Sequence, residues 1–170
     1  MPRDAQTLTA RNTTGSILSV DYGRARIGLA IADAESRLPR PLTTLERVNR
    51  NEDMRRLREL AREHDVRQIV VGLPLRLDGT RGEMAEEASR FAARLHKQLG
   101  VPVDMLDERL TSWEAERLLE EQSGRVLHDA KTHAKKGGQS SRASVDAVAA
   151  AVILKEYLER YVTKRDPDHI

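Results

Sequence analysis

The sequence predicts an α/β domain built on a mixed sheet, with three antiparallel strands first, then βαβ units, and helices flanking the sheet. Three observations carry this. Two β-like runs, SILSVDY at 16–22 and RIGLAIAD at 26–33, are separated by a short Gly-containing turn and read as a hairpin. The run QIVVGLPL at 68–75 is continuously apolar, as in a strand buried on both faces. After the hairpin, segments with apolar residues at helical spacing alternate with strand-like ones.

Residues 1–15, rich in Thr, Asn and Arg, read as a disordered leader. A third strand is expected over Thr43 to Val48, after the breaks at Pro39 and Pro41. Asn49 or Asn51 caps the next helix. Met54, Leu57, Leu60 and Ala61 recur at helical spacing up to about His64. The run 68–75 is stopped by Gly72 and Pro74, and the loop RLDGTRG follows. A helix then spans Glu83 to Leu99 and closes at Gly100. VPVDMLDER, 101–109, reads as the last strand. Thr111 and Glu114 form a capping box for a helix through about Gln122. Residues 123–139 lack periodicity and contain Gly124, Gly137 and Gly138. Ser140 or Ser141 opens a helix to about Tyr161, and a charged tail occupies 162–170. One domain, 16–161, accounts for the whole pattern.

Composition narrows the function. A chain of 170 residues supports one domain with a real core. With 29 basic and 27 acidic residues the net charge is only +2, so any preference for a polyanion must come from local clustering. There is no cysteine, which excludes disulfides and thiolate-held zinc or iron–sulfur clusters. The polar N-terminus has no secretory h-region, and the apolar run AVAAAVIL at 147–154 is too short to span a bilayer. A cytoplasmic protein without membrane partners is expected. Aromatic residues are 3% of the chain, too few for a single-strand reader that stacks bases.

Three acids stand at element ends. Asp21 closes the first strand, Glu108 closes the last, and Asp146 lies near the start of the final helix. Helical spacing sets Asp146 on one face with Ala149, Ala150, Ile153 and Tyr157, so it belongs to the apolar, sheet-facing side. Each acid has an ordinary alternative: a turn aspartate, an ion pair of Glu108 with Arg109, a helix-dipole aspartate. Together they suggest a site where buried carboxylates repel one another and a cation relieves the repulsion. All-oxygen donors favour Mg²⁺ or Mn²⁺ over zinc. Asp107 is a weaker candidate than Glu108, because neighbouring strand side chains point to opposite faces.

Four segments in order, DYGRARIGLA, VVGLPLRLDGT, DERLTSWEA and SVDAVAAAVIL, resemble the signature segments of the YqgF/RuvX family. These are RNase H-like nucleases related to RuvC-type Holliday junction resolvases. The resemblance runs from about Ile17 to Leu158, with departures at Ala25 and Arg76. It implies an RNase H-like sheet, catalytic and metal-binding roles for Asp21, Glu108 and Asp146, and a two-ion mechanism with Asp21 as the bridging ligand. It also implies a structured nucleic acid as substrate: the 5′ region of precursor 16S rRNA or, as the alternative, a four-way DNA junction. A non-catalytic nucleic-acid scaffold is a more remote alternative. Junction resolution would call for a homodimer, since two strands must be cut.

Around the acids the sequence offers cations for a phosphate backbone. Arg24 and Arg26 follow Asp21. Arg109 and Ser112 follow Glu108 at an expected helix N-terminus. From Ala130 to Val145 there is no acid, while Lys131, Lys135, Lys136 and Arg142 lead into the Asp146 helix. Such a basic loop grips phosphates without reading sequence.

Overall fold

The computed structural model describes residues 15–33, 35–110 and 140–162, with the side chains of 110, 140–144 and 162 outside that description. The expected leader, the Thr111–Glu114 capping box, the helix it opens, the glycine-bearing loop and the tail beyond 162 lie outside the described residues.

Strand β1 (Ser16–Tyr22) pairs with β2 (Arg26–Asp33) antiparallel, Ser16 opposite Asp33 and Asp21 opposite Gly28. Strand β3 (Arg40–Glu46) continues the meander on β2. Helix α1 (Arg50–Glu63) leads to β4 (Val66–Leu73), which lies parallel to β1. Helix α2 (Glu83–Leu99) leads to β5 (Val103–Asp107), parallel to β4, and a 3₁₀ turn (Glu108–Leu110) follows. Helix α3 (Ser140–Tyr157) ends in a π turn (Leu158–Val162). The sheet order is β3-β2-β1-β4-β5, so the expected antiparallel strands come first and the βαβ units after them.

Alternation along β1 explains the layering. Leu18 and Val20 face α1 and α2, where Met54, Leu57, Phe91 and Leu95 complete one core. Ile17 faces α3 and meets Ala150, Ile153, Leu154 and Tyr157 in a second core. Ser19, of the same parity, donates through Oγ to the Ala150 carbonyl at 2.5 Å, which ties α3 to the central strand. By that parity Asp21 belongs to the α3 side and Tyr22 to the other. Each large apolar side chain buried in these layers contributes roughly 1.5–3 kcal/mol.

Several boundaries differ from the sequence expectation. The third strand runs over Arg40–Glu46 rather than 43–48, with Pro41 inside it. Proline is tolerated there because β3 is an edge strand, and Pro41 sits opposite Ala30 where the register shifts. Val48 is outside the ladder because its N–H donates to Asp53 Oδ1 at 3.1 Å. Gly72 lies inside β4 instead of stopping it, and β5 ends at Asp107, so Glu108 opens the turn. The last helix is α-helical only to Tyr157. The expected cap at Asn49 holds: its side chain accepts from the N–H groups of Asn51 and Glu52. Gly100 closes α2 at φ +67°, where a side chain would be strained. Among the described residues no helix is long and apolar enough to cross a membrane.

Candidate active site

Asp21 occupies the penultimate position of the central strand, and the residues beside it on both neighbouring strands are glycines. Gly28 on β2 is its register partner, and Gly72 on β4 follows Val71, the partner of Val20. Each glycine makes room for another part of the site. A Cβ on Gly28 would stand 2.0 Å from the Asp146 carbonyl oxygen, so the missing side chain lets the first turns of α3 rest on the sheet. A Cβ on Gly72 would stand 2.0 Å from Glu108 Oε1, so that carboxylate fills the space above β4. The sequence reading did not find these roles. The signal was available: glycine inside a strand costs stability and marks a close approach.

The acids sense one another. Burial pushes the Asp21 carboxyl up to about 6, and the charge of Asp146 adds to the rise. Burial pushes Glu108 up to about 7, helped by Asp21 and then Asp107. Asp21 is thus the middle member, coupled to Asp146 on one side and Glu108 on the other. Asp107 behaves differently. Its hydrogen bonds from Arg109 hold it below the ordinary carboxylate range, with Arg109 Nη2 at 2.6 Å from Oδ2. Arg109 therefore belongs to Asp107 and not to Glu108, and its guanidinium lies over Gly79 in the loop between β4 and α2.

Of the other predicted residues, Arg26 reaches the acids directly: its Nε donates to Asp146 Oδ2 at 2.7 Å. Arg24 does not. It turns to the opposite face of the sheet and pairs with Glu87 at 2.8 Å and Glu83 at 3.3 Å on α2. Arg142 stands one helical turn before Asp146, with its side chain outside the description. Ser112, Lys131, Lys135 and Lys136 lie outside the described residues. Tyr22 and Phe91 pack on each other, ring centroids 4.9 Å apart, so neither is an open base platform.

The oxygen-only donor set and the mutual repulsion at Asp21 suit a hard divalent cation. Among the described residues no three acids or histidines close to the spacing of a preformed metal cage. Arg26 supplies a counter-charge on Asp146.

The family model described as "RuvX: Holliday junction resolvase" matches residues 15–160. The chain belongs to the RuvX family. Relatives agree along nearly the same span. A protein of Anaeromyxobacter sp. (strain K) named "Putative pre-16S rRNA nuclease" is 47% identical over 143 residues, which cover 84% of this chain and 96% of that one. A protein of the same name from Koribacter versatilis (strain Ellin345) is 42% identical over 146 residues, 86% of this chain and 88% of that one. Among solved structures the RuvX chain is similar to T. thermophilus RuvC in complex with Holliday junction substrate. That match has a TM-score of 0.49 and 14% identity, and covers 86% of this chain and 98% of that one.

Proposed function

We propose that this RuvX protein is a metal-dependent endonuclease that hydrolyses phosphodiester bonds of structured RNA in processing the 5′ end of pre-16S rRNA. The observation that carries the proposal is the pair Asp21 and Glu108, brought together across β4 where Glu108 Oε1 lies over Gly72, both half-buried and pushed up to about 6 and about 7. Acids held this way favour a bound proton or a bound cation, and perturbed carboxylates of this kind concentrate at functional sites. The names of the related proteins supply the substrate.

In this reading Asp21, Glu108 and Asp146 are the residues that would hold Mg²⁺ or Mn²⁺, two ions being what the family resemblance implies. When bound, such ions activate a water and stabilise the leaving oxygen. The chain's own residues do the positioning. Strand β1 fixes Asp21 against rotation, because both neighbouring strands pair with it. Arg26 orients the Asp146 carboxylate and offsets its charge. Gly28 and Gly72 leave room beside Asp21 for the Asp146 backbone and the Glu108 carboxylate. Ser112, Lys131, Lys135, Lys136 and Arg142 are assigned to the phosphate backbone, as positioning contacts that carry no sequence information, whereas Arg26 and Arg109, also expected there, are engaged by Asp146 and Asp107.

The test is a cleavage assay with Mg²⁺ or Mn²⁺, offering a pre-16S rRNA stem and a mobile four-way DNA junction to the wild type and to Asp21→Asn. The wild type is expected to cut the RNA stem, and the variant to lose roughly a hundredfold or more of that activity while still binding. Cutting of the junction alone would overturn the ribosomal assignment. Binding without cutting either substrate would overturn the nuclease.

A further inference from the structure

The face of the sheet opposite the acids carries a second concentration of charge. At the end of β1, just beyond Tyr22, a cavity of about 290 Å³ is lined by Arg47, Arg50, Arg90 and Arg94, with Glu87 its one acid. Farther along the same two helices a separate cavity of about 190 Å³ has Arg58, Arg62 and Gln98 at its rim, over Ala61, Val66, Leu99 and Val101. Arg50 in the first cavity and Arg62 in the second stand about 18 Å apart along α1, at 1.5 Å per helical residue.

Which arginines are paired is informative. On α1, Arg55 is tied to Glu52 at 2.6 Å and to Glu59 at 2.5 Å, and Arg56 donates to the Glu46 carbonyl. Arg47 is held by Asp53 and the Tyr22 hydroxyl. The remaining arginines around the two cavities are different. The side chains of Arg50, Arg58, Arg62 and Arg94 make no hydrogen bond or ion pair among the described residues, and Arg90 faces Glu87, itself held by Arg24. A helix that neutralises its outward arginines yet leaves the groove arginines unpaired presents a row of forked donors suited to phosphate oxygens.

We propose that the α1–α2 groove is a second binding surface for a phosphodiester backbone, separate from the catalytic acids. Its length selects a polymer over a mononucleotide, and its lack of open aromatic faces selects backbone over bases. Because Asp21 and Tyr22 are consecutive, the groove begins at the same end of β1 as the acids. A nucleic acid engaged at the acids reaches the groove by crossing the β1–β2 turn. The choice of nucleic acid as occupant rests on the nuclease reading, but its test needs no cleavage.

The experiment measures fluorescence anisotropy of a labelled RNA stem of about 20 base pairs in chelator, across a salt series. Two double variants, Arg50→Gln/Arg94→Gln and Arg58→Gln/Arg62→Gln, are compared with Arg55→Gln on the same helix, all checked by circular dichroism. Each double variant is expected to bind about tenfold more weakly at moderate salt. The slope of log affinity against log salt should flatten by about one to two, near 0.9 per lost phosphate contact. Arg55→Gln should keep the wild-type values. Unchanged affinity and slope in both folded double variants would overturn the groove. So would a loss confined to inorganic phosphate or AMP, with stem binding intact. A protein that binds through the groove yet cuts nothing would leave this inference standing and remove the nuclease reading.

Discussion

At the scale of single residues, the site depends on one ion pair and two perturbed acids. Arg26 touches Asp146 at 2.7 Å with both side chains partly shielded from water, so screening weakens the pair less than at an open surface. Arg26→Ala is expected to lower kcat/KM about 10- to 100-fold, the range for residues that orient ligands. Arg26→Lys should recover part of it, since lysine keeps the charge but not the Nε geometry. Full activity in Arg26→Ala, measured on the same RNA stem, would remove the positioning role. The sequence placed Arg24 and Arg26 together. Only the folded chain separates them: Arg26 opens β2 and reaches Asp146 on α3, whereas Arg24 lies in the β1–β2 turn, outside the ladder, and reaches Glu87 on α2.

At the scale of elements, the contacts between strands and helix are set by what is missing. Gly28→Ala would drive a Cβ into the Asp146 carbonyl, a helix backbone atom that moves only with all of α3. Urea unfolding should register a loss of about 1–3 kcal/mol together with reduced cleavage. Gly72→Ala meets the Glu108 carboxylate and Ile153 Cδ1, both ends of side chains. Stability should change less there, while cleavage falls because Glu108 is displaced. Equal stability losses in the two variants would contradict this assignment of space. Elsewhere the connection from β3 to α1 is locked by Asp53, which receives Arg47 Nε at 3.0 Å and the Val48 N–H at 3.1 Å. That network, absent from any periodicity, ended the third strand two residues earlier than expected.

At the scale of the whole molecule, the raised acids tie folding to pH. Asp21 and Glu108 bind protons more tightly folded than unfolded, where ordinary values near 4 apply. Above those ordinary values the folded state holds more protons than the unfolded one, so their contribution to stability falls as pH rises from about 4 through about 7. Metal-free protein should therefore gain from this term at pH 5 relative to pH 7.5. A divalent cation that binds the ionised acids should reverse it. Thermal unfolding should rise by several degrees with Mg²⁺ at pH 7.5 and hardly at pH 5, about 2–4 °C for each kcal/mol in a chain of this size. An equal rise at both values, or none at either, would separate the acids from cation binding.

By itself the sequence determined the order of the described elements, the end of β1 that carries Asp21, and the helix face that carries Asp146, while Glu108 fell one residue past the strand end expected for it. Those features follow from local causes: alternation, helical spacing, the Asn49 cap and the Gly100 stop are each written within a few residues. The tertiary structure alone decided that Gly28 and Gly72 flank Asp21 and that Arg109 serves Asp107. It also decided that Arg24 faces away and that the α1 and α2 arginines share one groove. Each of these joins residues from separate elements, and only the register and crossovers of the sheet bring them together.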